Sequence, residues 1–465
     1  MSGQAGLFIR DVEIEGQQHQ DCLVLDGAIA AVGVDLAHHG ADEVVGHGGA
    51  LLPGLADHHL HLFAMAAAAD SVDLSSYDDV AALSHLKSSD AVASADDWMR
   101  VVGWDERQGD LDRDRLDELV GERPTRVQHR SGALWVLNSA ALHIALDNAP
   151  TLPSGVERDA AGRLTGRLWR ADAWLREAIG TLPDLAPVGR ALAQVGITAV
   201  TDATPDHDAK ALQHLIKAVE DGRLPQRVQL TCMTLPARVP ARIGVGPQKL
   251  IVADHELPGP DGLAAQVSAA HASGRAVAVH CISREALALT LFALQQAGSH
   301  PGDRIEHCAI SDPQAIAELA ALGVTVVTQP SLVARRGDGY LKAHDPTEYD
   351  DLWRHASLLA GDVVTVASSD APYGDHDPWA TMRAARDRTT ASGAVLGAAE
   401  RVQPAATLSG FLAPLQHPGG VPRRVAVGAD ADLVLLNAPL SRALEEPTPD
   451  RVAMTICAGR VVYTR

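Results

Sequence analysis

Short apolar runs recur through the middle of the chain, and several close on a histidine or an aspartate. They are LADHHLH, GITAVTDAT, RVQLTCM, KLIVA, AVAVHC, DRIEHC, GVTVVTQP and DVVTVASSD. Between them lie Ala- and Leu-rich stretches such as DGLAAQVSAAHASG and DPQAIAELAALG, each stopped by a glycine. Strand patterns alternating with helix patterns predict parallel βα units. Eight such runs predict an α/β fold, a (β/α)8 TIM-like barrel over residues 51–414.

The two ends of the chain read differently. LFIRDVEIEG, QDCLVLDGAIAAVG and DEVVGHGGALLPG at the start, and GADADLVLLNAPL and DRVAMTICAGRVVYTR at the end, alternate with a period of two between Gly-rich turns. Residues 1–50 and 415–465 are therefore expected to build one small β-sandwich domain together. About 130 residues separate the first barrel strand from the second, far beyond an ordinary connection. An insertion at about 70–190, with structure of its own, is expected there.

The polar residues keep the register of the barrel. His59 and His61 end the first strand, two apart and so on one face, while His58 points to the other. Lys249 opens the fourth strand, His280 lies in the fifth, His307 ends the sixth and Asp370 ends the eighth. Lys249 to His280 and His280 to His307 are each about one βα unit of roughly thirty residues. Strand C-termini of such barrels converge on one face, where chemistry is done. Singly, each residue has a plainer reading: a hydrogen-bonded core histidine, an exposed lysine at a strand start, an aspartate capping a turn. None of these predicts a register shared across five strands, so a metal centre is expected.

Composition narrows the classes. The 465 residues are 46% hydrophobic and 21% charged, with 3% aromatics, an ordinary globular balance. A formal net charge of −20 argues against nucleic acid or an anionic membrane surface as a partner. The 21 histidines are ample for metal ligation. Five cysteines without a C-x-x-C pair make zinc ribbons and redox motifs unexpected, and Cys281 and Cys308 read as core residues facing away from their neighbouring histidines. No basic start followed by an apolar stretch reads as a secretory signal, and no apolar run reaches membrane-spanning length. A cytoplasmic protein acting on a small molecule is expected; a homo-oligomer is left open, dimers being the commonest assembly in general.

LLPGLADHHLH, AVAVHC, DRIEHC, TVVTQPS and ASSDAPYGDHDPW resemble the amidohydrolase superfamily of metal-dependent hydrolases, and within it the branch that includes N-substituted formamide deformylases. The resemblance runs over nearly the whole chain. It implies His59 and His61 on one ion and His280 and His307 on another, with Lys249 carboxylated by CO₂ to bridge them. It implies Asp370 as ligand and as proton acceptor for the attacking water. Imidazoles and carboxylate-like oxygens suit a divalent ion, Zn²⁺ first, with Co²⁺, Mn²⁺ or Fe²⁺ as alternatives, one or two per chain. Such an ion acidifies water and polarises a carbonyl.

The implied reaction is hydrolysis of a C–N bond in an amide, urea or carbamate-like small molecule. A deaminase of a small heterocycle is the alternative, though no Glu directly precedes His280. A catalytically inactive scaffold is a second, set against the presence of all six expected metal-site residues. Trp104, Asp105, His129, Trp135 and Tyr373 are candidate substrate contacts, with Gln329 behind them, because loops after the strands cover the active face. Packing inside the insertion is the plainer reading of the tryptophans. The branch's insertion usually carries a histidine where this chain has Ala133, although Asn138 and Ser139 match, and KLIVADHELPG lacks the Asp-Gly that often follows the lysine. RRGDGYLK, residues 335–342, reads as a solvated loop.

Overall fold

The computed structural model describes residues 6–465 except 76, 87–97, 132, 181, 234–237 and 255–256. The loop after KLIVA therefore lies partly outside the described residues. Two compact units are present, residues 1–62 with 185–465, and residues 63–184.

All eight expected barrel strands form in the first unit. Strands Leu55–Leu60, Ile197–Asp202 and Arg227–Leu230 run parallel, with a short extra strand, Ile243–Val245, beside the third. Strands Gln248–Ile251, Val277–Cys281, Arg304–His307, Thr325–Thr328 and Thr365–Ala367 form a second parallel set. One seam between the sets is a 2.8 Å hydrogen bond from the Lys249 N–H to the Thr231 carbonyl. At the other, the Asp370 N–H donates to the His59 carbonyl at 2.8 Å and the His61 N–H to Ala371 at 2.9 Å. These bonds join the eighth strand to the first and close a TIM-type barrel.

Period-two alternation decides which side chains enter the barrel. Leu250, Val277, Val279, Cys281 and Ile305 pack outward with helix residues such as Leu263, Leu291 and Leu319 in one buried cluster. Lys249, His280, Arg304 and Glu306 are thereby turned inward. Cys281 and Cys308 sit in this outer cluster, and all five cysteines are buried and free of disulfides.

Both chain ends contribute to a small sandwich. One sheet holds Leu7–Ile14, Gln17–Leu25, Ala28–Gly33 and Asp42–Val45. The other holds Leu51–Pro53 with Leu433–Leu436, Val452–Cys457 and Arg460–Thr464. Ile9, Val12, Cys22 and Ile29 of the first meet Leu433, Leu435 and Ile456 of the second in one core. The faces that meet in this core are apolar, and neither sheet could bury its own face alone.

One expectation fails here. Residues 335–342 are not a loop but part of the α-helix Ser331–Ala343. The two glycines in RRGDGYLK suggested a loop. Gly337 is instead a packing residue: a Cβ there would lie 2.4 Å from Thr390 Cγ2. The second unit, residues 63–184, has a six-stranded mixed sheet running from Ser71–Asp73 to Val156–Arg158. No helix of the described residues is long and apolar enough to cross a membrane.

Candidate metal centre

His59, His61 and Asp370 bring their ligating atoms within 4.8 Å of one another. Nε2 of His59 lies 3.5 Å and Nε2 of His61 3.4 Å from Oδ1 of Asp370. The rings of His59 and His61 meet edge-on at 5.4 Å between centroids. His307 stacks obliquely at 4.8 Å from His59 and edge-on at 4.4 Å from His280, its Nδ1 4.0 Å from Oδ2 of Asp370. Strands one, five, six and eight thus deliver their polar ends to one place.

Backbone conformation does part of the aiming. His307 is two residues from outward-facing Ile305 and would follow it outward in a regular strand. It has φ +71° instead, Cys308 after it has φ +51°, and Asp370 has φ +53°. These left-handed residues lie at or just beyond the ends of their strands and redirect the chain where the side chains enter the site.

Lys249 is buried, only 3% exposed, which rules out the reading as an exposed strand-start lysine. Its Nζ has no hydrogen-bond partner among the described residues. Burial pushes its pKa below the usual lysine range, the positive charge of Arg304 adding to this and the carboxylates of Glu306 and Asp370 opposing it. Burial likewise lowers His280 and His307 to about 4 and holds His59 well below its ordinary value. These imidazoles are neutral at pH 7, the form that binds metals. Burial works against the Asp370 carboxylate, but contacts with His61, His59 and His307 outweigh it and hold the carboxyl well below its usual range.

The donor set passes a direct test of fit to a cation. Nε2 of His59, Oδ1 of Asp370 and Nζ of Lys249 are buried and lack hydrogen-bond partners. Buried polar atoms are rarely left so, and the unpaired lone pairs of His59 and Asp370, 3.5 Å apart, are what a bound cation would satisfy. The structure holds a site able to coordinate a divalent metal ion.

Behind the ligands stand residues that the sequence reading passed over, together with Gln329, which it had offered as a substrate contact. Nδ1 of His59 meets the Glu306 carboxylate, which pairs with Arg304 at 2.5 Å. Nδ1 of His307 lies 2.8 Å from Oε1 of Gln329, whose amide donates to Ser368 and the Val327 carbonyl. His61 leads through Thr204 to Asp202 and on to His207, at 3.3, 2.7 and 3.0 Å. Burial opposes both charges of the Asp202–His207 pair, yet their contact prevails, lowering the Asp202 pKa and raising that of His207. The one available signal was alternation: in RIEH, two charged residues share the inward face.

Among the expected substrate contacts, Tyr373 is 48% exposed, with its ring edge-on to His61 at 5.7 Å. The other four lie in the 63–184 unit, and their visible partners are internal to it. Trp104 is fully buried, donates from its indole to the Gly109 carbonyl at 3.1 Å and meets His129 edge-on. Trp135 is buried beneath the guanidinium groups of Arg100 and Arg126. Asp105 caps a 3-10 turn and pairs with Arg107 and Arg130, and His129 contacts Ser131 and Glu106. Asn138 caps the helix Ser139–Asn148.

A sequence profile described as the amidohydrolase family matches residues 46–463. The chain belongs to that family. An N-substituted formamide deformylase from Arthrobacter pascens is 26% identical, the match covering 98% of this chain and 97% of that protein. This amidohydrolase also shares its fold with an uncharacterised metal-dependent hydrolase from Pyrococcus horikoshii. The TM-score is 0.77 at 17% identity, over 99% of this chain and 100% of the other. A second such hydrolase, from Pyrococcus furiosus, gives 0.74 at 19% identity, over 96% and 100%.

Proposed function

We propose that this amidohydrolase is a metal-dependent enzyme that uses water to cleave a C–N bond in a small amide-, formamide-, urea- or carbamate-like molecule. One observation carries the reading: buried, unpaired ligand atoms of His59 and Asp370, joined by His61, meet at the barrel's strand ends. The formamide deformylase relative, matched along its whole length, favours a formyl or other small acyl group on nitrogen.

In this reading His59, His61 and Asp370 would hold one ion and His280 and His307 a second, with Zn²⁺ the first choice for the donor set. An ion so held would supply Lewis acidity to water and to the scissile carbonyl. Asp370 accepts a proton from the attacking water and returns it to the leaving nitrogen, which departs poorly as an anion. Lys249, whose charged form burial disfavours, adds to CO₂ through Nζ in its neutral form and releases one proton. The resulting carbamate offers two oxygens and a negative charge beside the imidazole ligands. Tyr373, half-exposed beside His61, contacts substrate. Residues 1–50 and 415–465 serve as a composite domain outside the chemistry.

The test is release of free amine from a panel of N-substituted formamides, amides, ureas and carbamates. Protein stripped by a chelator is compared with protein reloaded with Zn²⁺, Co²⁺ or Mn²⁺. Turnover restored by a metal supports the reading; metal-loaded protein that turns over none of the four classes overturns it.

A further inference from the structure

The imidazoles of this centre differ in what stands behind them. His59 has its rear nitrogen on a carboxylate, that of Glu306, and no other imidazole of the centre has this arrangement among the described residues. Nδ1 of His307 faces the neutral amide of Gln329. Nδ1 of His61 is linked to a carboxylate, that of Asp202, through the Thr204 hydroxyl.

Glu306 has no exposed surface. Its other oxygen lies 2.5 Å from Nε of Arg304, which is 2% exposed and donates from a terminal nitrogen to the His58 carbonyl at 3.3 Å. An ionised carboxylate at such depth needs a counter-charge, and Arg304 supplies it. Arg304 thus fixes one oxygen of Glu306 and leaves the other set against one nitrogen of one metal-facing ring.

A carboxylate only accepts hydrogen bonds, so the His59 proton belongs on Nδ1 and the lone pair on Nε2, the atom facing Asp370. A negative charge behind Nδ1 also makes Nε2 a stronger donor. We infer that Glu306, anchored by Arg304, is a positioning residue that makes the His59–His61–Asp370 position the one that takes its ion first and holds it most tightly. The inference rests on the metal-centre reading above and adds an order of binding to it.

The experiment is Co²⁺ binding to metal-free full-length protein, followed by absorbance, for three proteins. They are the wild type, Glu306→Asp and the double variant Arg304→Gln with Glu306→Gln. Glu306→Asp keeps a charge beside Arg304 but withdraws the carboxylate from Nδ1 by one methylene. The double variant keeps hydrogen-bonding capacity and removes both charges. Thermal unfolding of the metal-free proteins identifies those that are folded. The first binding step should weaken about 10- to 100-fold in both variants, with any second step changed much less. A folded variant with wild-type affinity in the first step overturns the inference. A wild-type protein that binds no Co²⁺ overturns the metal-centre reading itself, and this inference with it.

Discussion

Nε2 of His61 and Oδ1 of Asp370 stand 3.4 Å apart. That is long for a hydrogen bond and matches the separation of two ligands each about 2.1 Å from one tetrahedral ion, roughly 3.4 Å. Asp370→Asn keeps the size of the side chain but removes its charge and its basicity. The variant should lose about 100- to 10,000-fold in kcat when saturated with metal, and should bind less metal at equilibrium. Steady-state kinetics beside elemental analysis measures both; wild-type kcat in Asp370→Asn would rule out the proton-acceptor role.

Lys249 separates folding from function. Its amine is buried without a partner, so Lys249→Met should leave the metal-free protein more stable by about 1–3 kcal/mol. The sign follows from proton binding. The unfolded chain protonates this amine below its usual pKa, the folded chain resists doing so, and neutral pH therefore favours unfolding of the wild type at this position. The same variant should bind fewer metal ions and turn over more slowly, with partial rescue by acetate plus metal. Denaturation of chelated protein and metal counting of loaded protein test the two halves separately. A variant with two ions per chain and full turnover would exclude the carbamate.

His355 makes a pH prediction away from the centre. It is 3% exposed, and burial, reinforced by the positive charge of Arg388, lowers its pKa to about 4. The unfolded chain takes up a proton at this residue below about 6.5 and the folded chain does not until about 4. Its contribution to stability is thus intact above 6.5 and is lost as pH falls through that window. Relative to wild type, His355→Leu should become about 2 kcal/mol more favourable at pH 5 than at pH 8. Urea unfolding at the two pH values reads this difference, and a pH-independent difference would contradict it.

Ile456 tests the union of the chain ends. It is fully buried, on a C-terminal strand, in the core it shares with Ile9 and Ile29. Ile456→Ala should cost about 2–5 kcal/mol, and proteolysis should then cut within residues 6–50 as readily as within 430–465. An N-terminal segment that stays protected in the variant would mean that the two sheets do not fold as one.

Eight barrel strands were legible because each is an apolar run of strand length set off from the next by a helix pattern or turn residues, and period two sorted His58 from His59. The depth of Lys249 was not legible: a lysine at a strand start looks the same whether it faces water or a barrel interior. Arg304 and Glu306 were hidden for a related reason. Charged residues alternating with apolar ones read as a solvated strand face, and only barrel closure puts that face inside. The helix Ser331–Ala343 was missed because glycine was taken as a breaker, when Gly337 answers to Thr390 across the packing. Sequence spacing placed His307 and Asp370 at strand ends but said nothing of their left-handed backbones, which depend on contacts distant in the chain.

Those left-handed backbones bear on how a substrate could be identified. Asparagine tolerates φ near +53° about as well as aspartate does, whereas alanine does not. Asp370→Asn should thus preserve the backbone turn at this position while stalling turnover. It is the variant with which to capture a bound molecule from a cell extract and read its identity by mass, whereas the alanine replacement would strain the turn that carries the residue.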